Sequence, residues 1–220
     1  MFLSLYILLI SLAAGFQTDQ PGFKGGKRNL DAFISNNLIY PEYSKINCLQ
    51  GTVNVSFKLN REGRVFSSSV QKGFGTDLDD EALRIVRLSS GKWIVPAGYD
   101  TSTAVVLPVN FALKGFNCEQ REKDELNAAI RAYTAREDLT KAIYNFYDKK
   151  SRGEVNPAEE AEVITLKGQL GYDQKFISRL YKRGLRKLKQ GDREGGCEDL
   201  NKVRLLGSDM ADKSISERCR

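Results

Sequence analysis

The sequence predicts an α+β two-layer domain followed by an all-α module, on three observations. In QGTVNVSFKLNREGRV (50–65), Val53, Val55, Phe57 and Leu59 alternate with Thr52, Asn54, Ser56 and Lys58, the period of a strand with one dry and one wet face. A second alternating run, STAVVLPVNFAL (102–113), puts Val105, Leu107, Val109, Phe111 and Leu113 on one face. Elsewhere apolar residues recur at helical spacing, around both runs in the first half and throughout the second half. The first half therefore reads helix, strand, strand, helix, strand, with the helices on one face of a small sheet.

The elements follow in order. FLSLYILLISLAA (2–14) is apolar but shorter than the roughly 20 residues a bilayer requires. It fits the apolar region of an export signal, with Ala13 and Gly15 placed for cleavage after residue 15; the alternative is an uncleaved segment that tethers the chain to the inner membrane. After a polar, glycine-containing stretch, Leu30, Phe33, Ile34 and Leu38 mark an amphipathic helix over 29–38, with Asn29 as its candidate cap. Tyr40-Pro41 ends it, because a proline disfavours helix in the residue before it. The first strand spans 51–59, Asn60-Arg61-Glu62-Gly63 turns the chain, and 64–71 returns. The segment 75–91 is a second helix. Asp77, Asp79, Asp80 and Glu81 crowd its start, where the helix dipole favours negative charge, and this reading is preferred to a metal site. Ala82, Leu83, Ile85 and Val86 form its apolar face and Gly91 stops it. Trp93 and Pro96 follow in a loop. Pro108 inside the last strand places that strand at a sheet edge, since proline cannot donate to a ladder.

After Cys118 the spacing of Leu126, Ile130, Tyr133, Leu139, Ile143 and Phe146 is helical. Arg152-Gly153 and Asn156-Pro157 break the pattern, and Pro157 opens the next helix. From Tyr172 the chain reads as helix, turn at Gly191-Asp192, helix. Arg179, Arg183, Arg186 and Lys187 fall on one side of the first of these helices, in a run without an acid. This basic face is a candidate contact for an anionic surface or an acidic partner; its plainer reading is a solvated face. Only Tyr181 interleaves with the cations, so nucleic acid is not the expected partner.

Composition narrows the function. The chain has 220 residues, 41% hydrophobic and 28% charged, with a net charge of +6, enough for one domain or two small ones. There is no histidine and no CxxC. Nor is there a nucleophile–base pair, or a glycine-rich phosphate loop after a strand. Neither catalysis, a cofactor nor a metal is expected. In an exported chain the four cysteines, Cys48, Cys118, Cys197 and Cys219, point to disulfides, with three connectivities open.

Taken together, Tyr40-Pro41, QGTVNVSFKLNREGRV, the DEAL of Asp80 to Leu83, Trp93 with Pro96, and LPVNFAL (107–113) resemble the TonB C-terminal domain in the style of its Bacteroidota-type members. The resemblance covers about 23–113 and implies a domain over 23–116, with a three-stranded antiparallel sheet and two helices. It implies a periplasmic protein-binding role in TonB-dependent transport: capture of the TonB box of an outer-membrane transporter, and transfer of energy from an inner-membrane motor. The receiving edge would be the last strand, Thr103, Ala104, Val105, Val106, Leu107, Val109, Asn110 and Phe111, with Tyr40 and Pro41 near the captured peptide. The resemblance does not extend to the membrane-spanning anchor or long proline-rich spacer of the family's transducers; the five prolines are scattered. The alternative role is an envelope scaffold whose helical module makes the contacts, without energy transduction.

Within the helical module, 119–220, the segment 172–207 resembles a tetratricopeptide repeat followed by a capping helix. Gly184 stands where two helices approach closely, and Gly196 and Leu200 lie on the second helix. Ala142 and Phe146 are spaced as in a second, degenerate repeat. Such repeats usually bind peptides or proteins in a groove. The two family folds imply the pairing Cys48–Cys118, at the ends of neighbouring antiparallel strands, and Cys197–Cys219, stapling the capping helix to the repeat.

Overall fold

Alternation in the first run becomes a fully buried stripe: Val53, Val55, Phe57 and Leu59 are each 0% exposed. The structure, a computed structural model, describes residues 20–219; the export-signal reading of 1–15 lies outside the described residues. The first half comprises β1 (Gly22–Phe23), α1 (Gly26–Asn37), α2 (Glu42–Ile46), β2 (Gly51–Leu59), β3 (Val65–Lys72), α3 (Asp77–Leu88), β4 (Trp93–Ile94) and β5 (Val105–Phe111). The main sheet has the order β3-β2-β5, antiparallel throughout. A two-stranded sheet pairs β1 with β4.

Local chemistry sets the turns. Asn60 Oδ1 accepts the amides of Glu62 and Arg64 at 3.2 and 2.8 Å, closing the β2–β3 turn through a side chain. Gly63 is required there: its φ is +72°, and a Cβ would lie 2.2 Å from the Trp93 carbonyl oxygen. At α3, Asp79 accepts the amides of Phe74 and Gly75 at 2.9 and 2.8 Å. Asp77 accepts from the Ser44 hydroxyl. The acidic cluster thus fastens the helix start. Asn29 does not cap α1. The helix begins earlier, at Gly26, after Gly25 with φ +82° turns the chain, a conformation glycine adopts without the Cβ clash. The core between sheet and helices is built on Phe57, Phe111, Leu59, Leu78, Ile85 and Val86. Each such side chain contributes about 1.5–3 kcal/mol of burial.

The second half comprises a short 3₁₀ turn (Cys118–Gln120), then α4 (Lys123–Ser151), α5 (Pro157–Gln169), α6 (Gln174–Gln190), α7 (Arg193–Leu205), a second 3₁₀ turn (Asp209–Ala211) and α8 (Asp212–Arg218). Its core gathers Ile143, Tyr172, Leu180, Leu200, Val203 and Leu206. α6 and α7 form a tight hairpin in which a Cβ on Gly196 would meet Leu188 at 2.7 Å and the Gly184 carbonyl oxygen at 3.0 Å. Gly191, with φ +90°, ends α6, and Asp192 caps α7 by accepting the Gly195 amide at 2.8 Å. The 29-residue α4 serves both cores: Leu126, Ala129 and Ile130 pack on the first, Ile143 in the second. Both disulfides follow the expected connectivity, Cys48–Cys118 and Cys197–Cys219, with Cα–Cα distances of 5.5 and 5.6 Å.

Candidate functional site

A three-stranded sheet has two edges, and here they differ. β3 pairs with β2 through a register that shifts twice, and Ser67 takes φ +54°. Its Ser68 hydroxyl donates to Glu194 on α7 at 3.0 Å. Bulges and covering elements of this kind block edge pairing. β5 instead pairs with β2 over seven consecutive residues, Gly51↔Phe111 to Phe57↔Val105, without a shift. Among the described residues no strand lies on its other side.

The register fixes what this open edge presents. The Leu113 amide donates to Gln50 Oε1 at 2.6 Å, on the β2 side. Backbone groups alternate in direction along an antiparallel strand, so those of Val106, Pro108 and Asn110 point outward. Pro108 stands where its missing N–H leaves the β2 ladder intact. Leu107, Val109 and Phe111 are buried in the core, while Val106, Pro108 and Asn110 are exposed on the far face. The strand begins at Val105, so Thr103 and Ala104 lie before it; the Thr103 amide closes a turn on the Asp100 carbonyl at 3.0 Å.

Tyr40 and Pro41 sit at the Phe111 end. The Tyr40 ring meets Phe111 edge-on at 5.8 Å and its hydroxyl donates to the Leu49 carbonyl at 2.6 Å. Burial, with Asp77 nearby, pushes the phenol up to about 12. Pro41 precedes the first turn of α2. In the same region the Tyr43 hydroxyl donates to the Ala129 carbonyl of α4 at 2.6 Å, and the Tyr43 and Tyr133 rings lie 5.0 Å apart. Neither tyrosine contact with α4 was signalled by local spacing.

The basic face is split. Arg183 binds Asp199 through two bonds of 2.8 Å, and Lys187 reaches the same carboxylate at 3.0 Å. Asp199 is 1% exposed. Burial pushes this carboxyl up, but Arg183 and Lys187 outweigh it and leave it below the usual carboxylate range. Arg179 and Arg186 remain exposed.

Sequence reasoning missed a clamp and a cleft. Arg87 on α3, with an 8% exposed side chain, reaches Glu198 at 2.9 and 3.0 Å, Glu194 at 3.1 Å and Ser68 at 2.9 Å. It joins α3 and β3 to α7. Beside it a cleft of about 430 Å³ opens between the modules. Arg87 and its α7 partners lie more than 100 residues apart in the chain, and the local hint was that Glu194 and Glu198, four residues apart, share one face of α7.

Residues 36–113 match the family model of the Gram-negative bacterial TonB protein C-terminal. That match supports a TonB C-terminal domain in the first half of this chain. Among solved structures, the chain is similar to the C-terminal domain of Helicobacter pylori TonB, determined in solution by NMR, at 27% identity. The similarity covers 40% of this chain and 92% of that one, with a TM-score of 0.34. No curated protein matches. Among the described residues no helix is long and apolar enough to cross a membrane.

Proposed function

We propose that this chain is an exported, periplasmic TonB-like binding protein of the Bacteroidota type, which takes part in TonB-dependent transport by capturing extended peptide segments of outer-membrane transporters on β5. The observation that carries this reading is the contrast between the two edges: β5 keeps one register over its whole length and has no strand on its other side among the described residues, whereas β3 is bulged and engaged by α7. An added strand gains main-chain hydrogen bonds there, beside the exposed Val106 and Asn110 side chains. Pro108 offers its carbonyl but no donor, so the incoming strand pairs best in a register that needs no N–H at that point. The helical module, read as a tetratricopeptide-like repeat over 172–207 with α8 as its cap, holds its own partner surface. The domain boundaries we adopt are 23–116 and 119–220.

The test is a titration of the isotope-labelled chain with TonB-box peptides from outer-membrane transporters, followed by amide shifts. Shifts concentrated between Val105 and Phe111 and around Tyr40 are the expected result. Absence of shifts at millimolar peptide overturns strand capture and favours the envelope-scaffold reading, with contacts made by the helical module.

A further inference from the structure

The cleft between the modules has walls of mixed charge. On one side stand Glu42, Asp77 and Asp80, at α2 and the start of α3; on the other stand Arg183, Arg186 and Lys202, from α6 and α7. Several of its charges are already satisfied. Arg84 pairs with Glu81 at 2.6 Å, Arg87 with Glu198 at 2.9 Å, and both Arg183 and Lys187 with Asp199. Glu42 and Asp80 on the first wall, and Arg186 and Lys202 on the second, make no ion pair among the described residues. Asp77 makes no ion pair either but is held by the Ser44 hydroxyl, so the charges left open are Glu42, Asp80, Arg186 and Lys202, two of each sign on opposite walls.

The position of the cleft is as informative as its charge. Tyr40 packs on Phe111, the last residue of β5. Its neighbours in sequence, Ile39 and Pro41, line the cleft together with Glu42. The end of the open edge and the mouth of the cleft are thus joined by one short segment. The volume, about 430 Å³, lies within the range of about 300–1,000 Å³ typical of ligand sites and has room for a few residues of extended chain.

We infer that this cleft is a second subsite, formed by both modules together, that receives the mixed-charge flank of a peptide whose neighbouring segment is held on β5. A basic residue of the flank faces Glu42 and Asp80, and an acidic residue faces Arg186 and Lys202. A polyanion is disfavoured by the acidic wall, and a metal ion by the basic one. The inference rests on the strand-capture reading for its occupant, but its residues lie off the edge strand. The helical module then acts as a specificity element: it selects among peptides that β5, reading main chain, holds about equally.

The experiment is calorimetric titration of the purified chain at low salt with one TonB-box peptide carrying either a flank of two lysines and two glutamates or a flank of four serines, placed at either end. The charged flank is expected to tighten binding about tenfold, and raised salt to remove the gain, since charges in an open cleft are screened. The double variant R186E/K202E, with Arg186 exposed and Lys202 partly so, is expected to abolish the gain while leaving the serine-flanked peptide unaffected. Equal affinity for both flanks in the native chain overturns the cleft subsite and leaves strand capture standing. If neither peptide binds, strand capture fails, and the charged flank alone is titrated by amide shifts. Shifts at Glu42, Asp80, Arg186 and Lys202 then uphold the cleft as a site of its own; none there overturns it.

Discussion

Asp199 shows how one buried carboxylate organises the helical module. It is shared by Arg183 and Lys187, whose side chains are 56% and 18% exposed. Asp192, equally buried, is its opposite: burial pushes its carboxyl up, and its Oδ2 has no hydrogen-bond partner among the described residues. The two titrate with opposite consequences. A carboxyl held below its unfolded value stabilises the fold above that value, and the stabilisation is lost as pH falls through the folded one. The contribution of Asp192, held above its unfolded value, is present at acid pH and lost as pH rises. D199N removes the charge that both cations share. Breaking a buried pair costs about 3–5 kcal/mol, and the half-exposed Arg183, which keeps its water, sets the loss near 3 kcal/mol at neutral pH. The difference between D199N and the native chain should begin to shrink below about pH 4, where the unfolded carboxyl takes up its proton, and should vanish only as pH falls through the lower folded value. Thermal unfolding at neutral pH and at pH 3 reads both. None of this was visible in sequence, where Asp199 is one polar residue of an amphipathic helix and its partner lies 16 residues away across a turn.

At the scale of elements, the α6–α7 hairpin depends on two glycines in unequal measure. A Cβ on Gly196 meets Leu188 at 2.7 Å, closer than side chains tolerate, and a backbone oxygen at 3.0 Å; one on Gly184 meets its nearest atoms at 3.1 Å. Overpacking costs about 1–3 kcal/mol, so G196A is expected to destabilise by about 2 kcal/mol and G184A by less, measured by denaturant unfolding. An equal or reversed order would mean that the helices re-space freely. The same closeness explains why this hairpin was legible: glycine, turn and glycine recur where a helical pattern needs them. β2 was legible to its ends because its alternation is unbroken and one face is entirely buried. β3 was not, since Ser67, Ser68 and Ser69 carry no period and its register shifts against β2. α2, with five residues, and the β1–β4 pair, with two residues in each strand, are too short to have a period at all. They exist because Phe23 packs edge-on against Trp93 at 5.4 Å and Ser44 is held by Asp77, contacts that only the assembled domain provides.

For the molecule as a whole, the relation between the modules turns on Arg87. The Cys48–Cys118 bridge and α4 tether the two halves, and α4 packs on α7 through the core around Ile143, but neither ties α7 to α3 and β3. Arg87 does so, holding two carboxylates of α7 and a hydroxyl of β3 with a guanidinium that burial alone would weaken and that Glu198 and Glu194 more than compensate. The carboxylates are about half exposed, so they regain water when the clamp is removed, and the loss is that of hydrogen bonds to a charged group, about 2 kcal/mol. R87M keeps the apolar stem of the side chain and deletes the clamp. Hydrogen exchange should then quicken in α7 and along the facing turn of β3, while β2 and the buried face of α3, held by Phe57, Ile85 and Val86, stay protected. Because one wall of the cleft belongs to α6 and α7 and the other to α2 and α3, R87M should also lose the preference for a charged flank without losing the serine-flanked peptide on β5. Unchanged exchange together with unchanged flank preference would show that the modules are oriented by the disulfide and α4 alone. A loss of both peptides would place Arg87 in support of the sheet edge itself, against the separation of roles that the geometry implies: β5 for holding a partner's main chain, the cleft for choosing which partner is held.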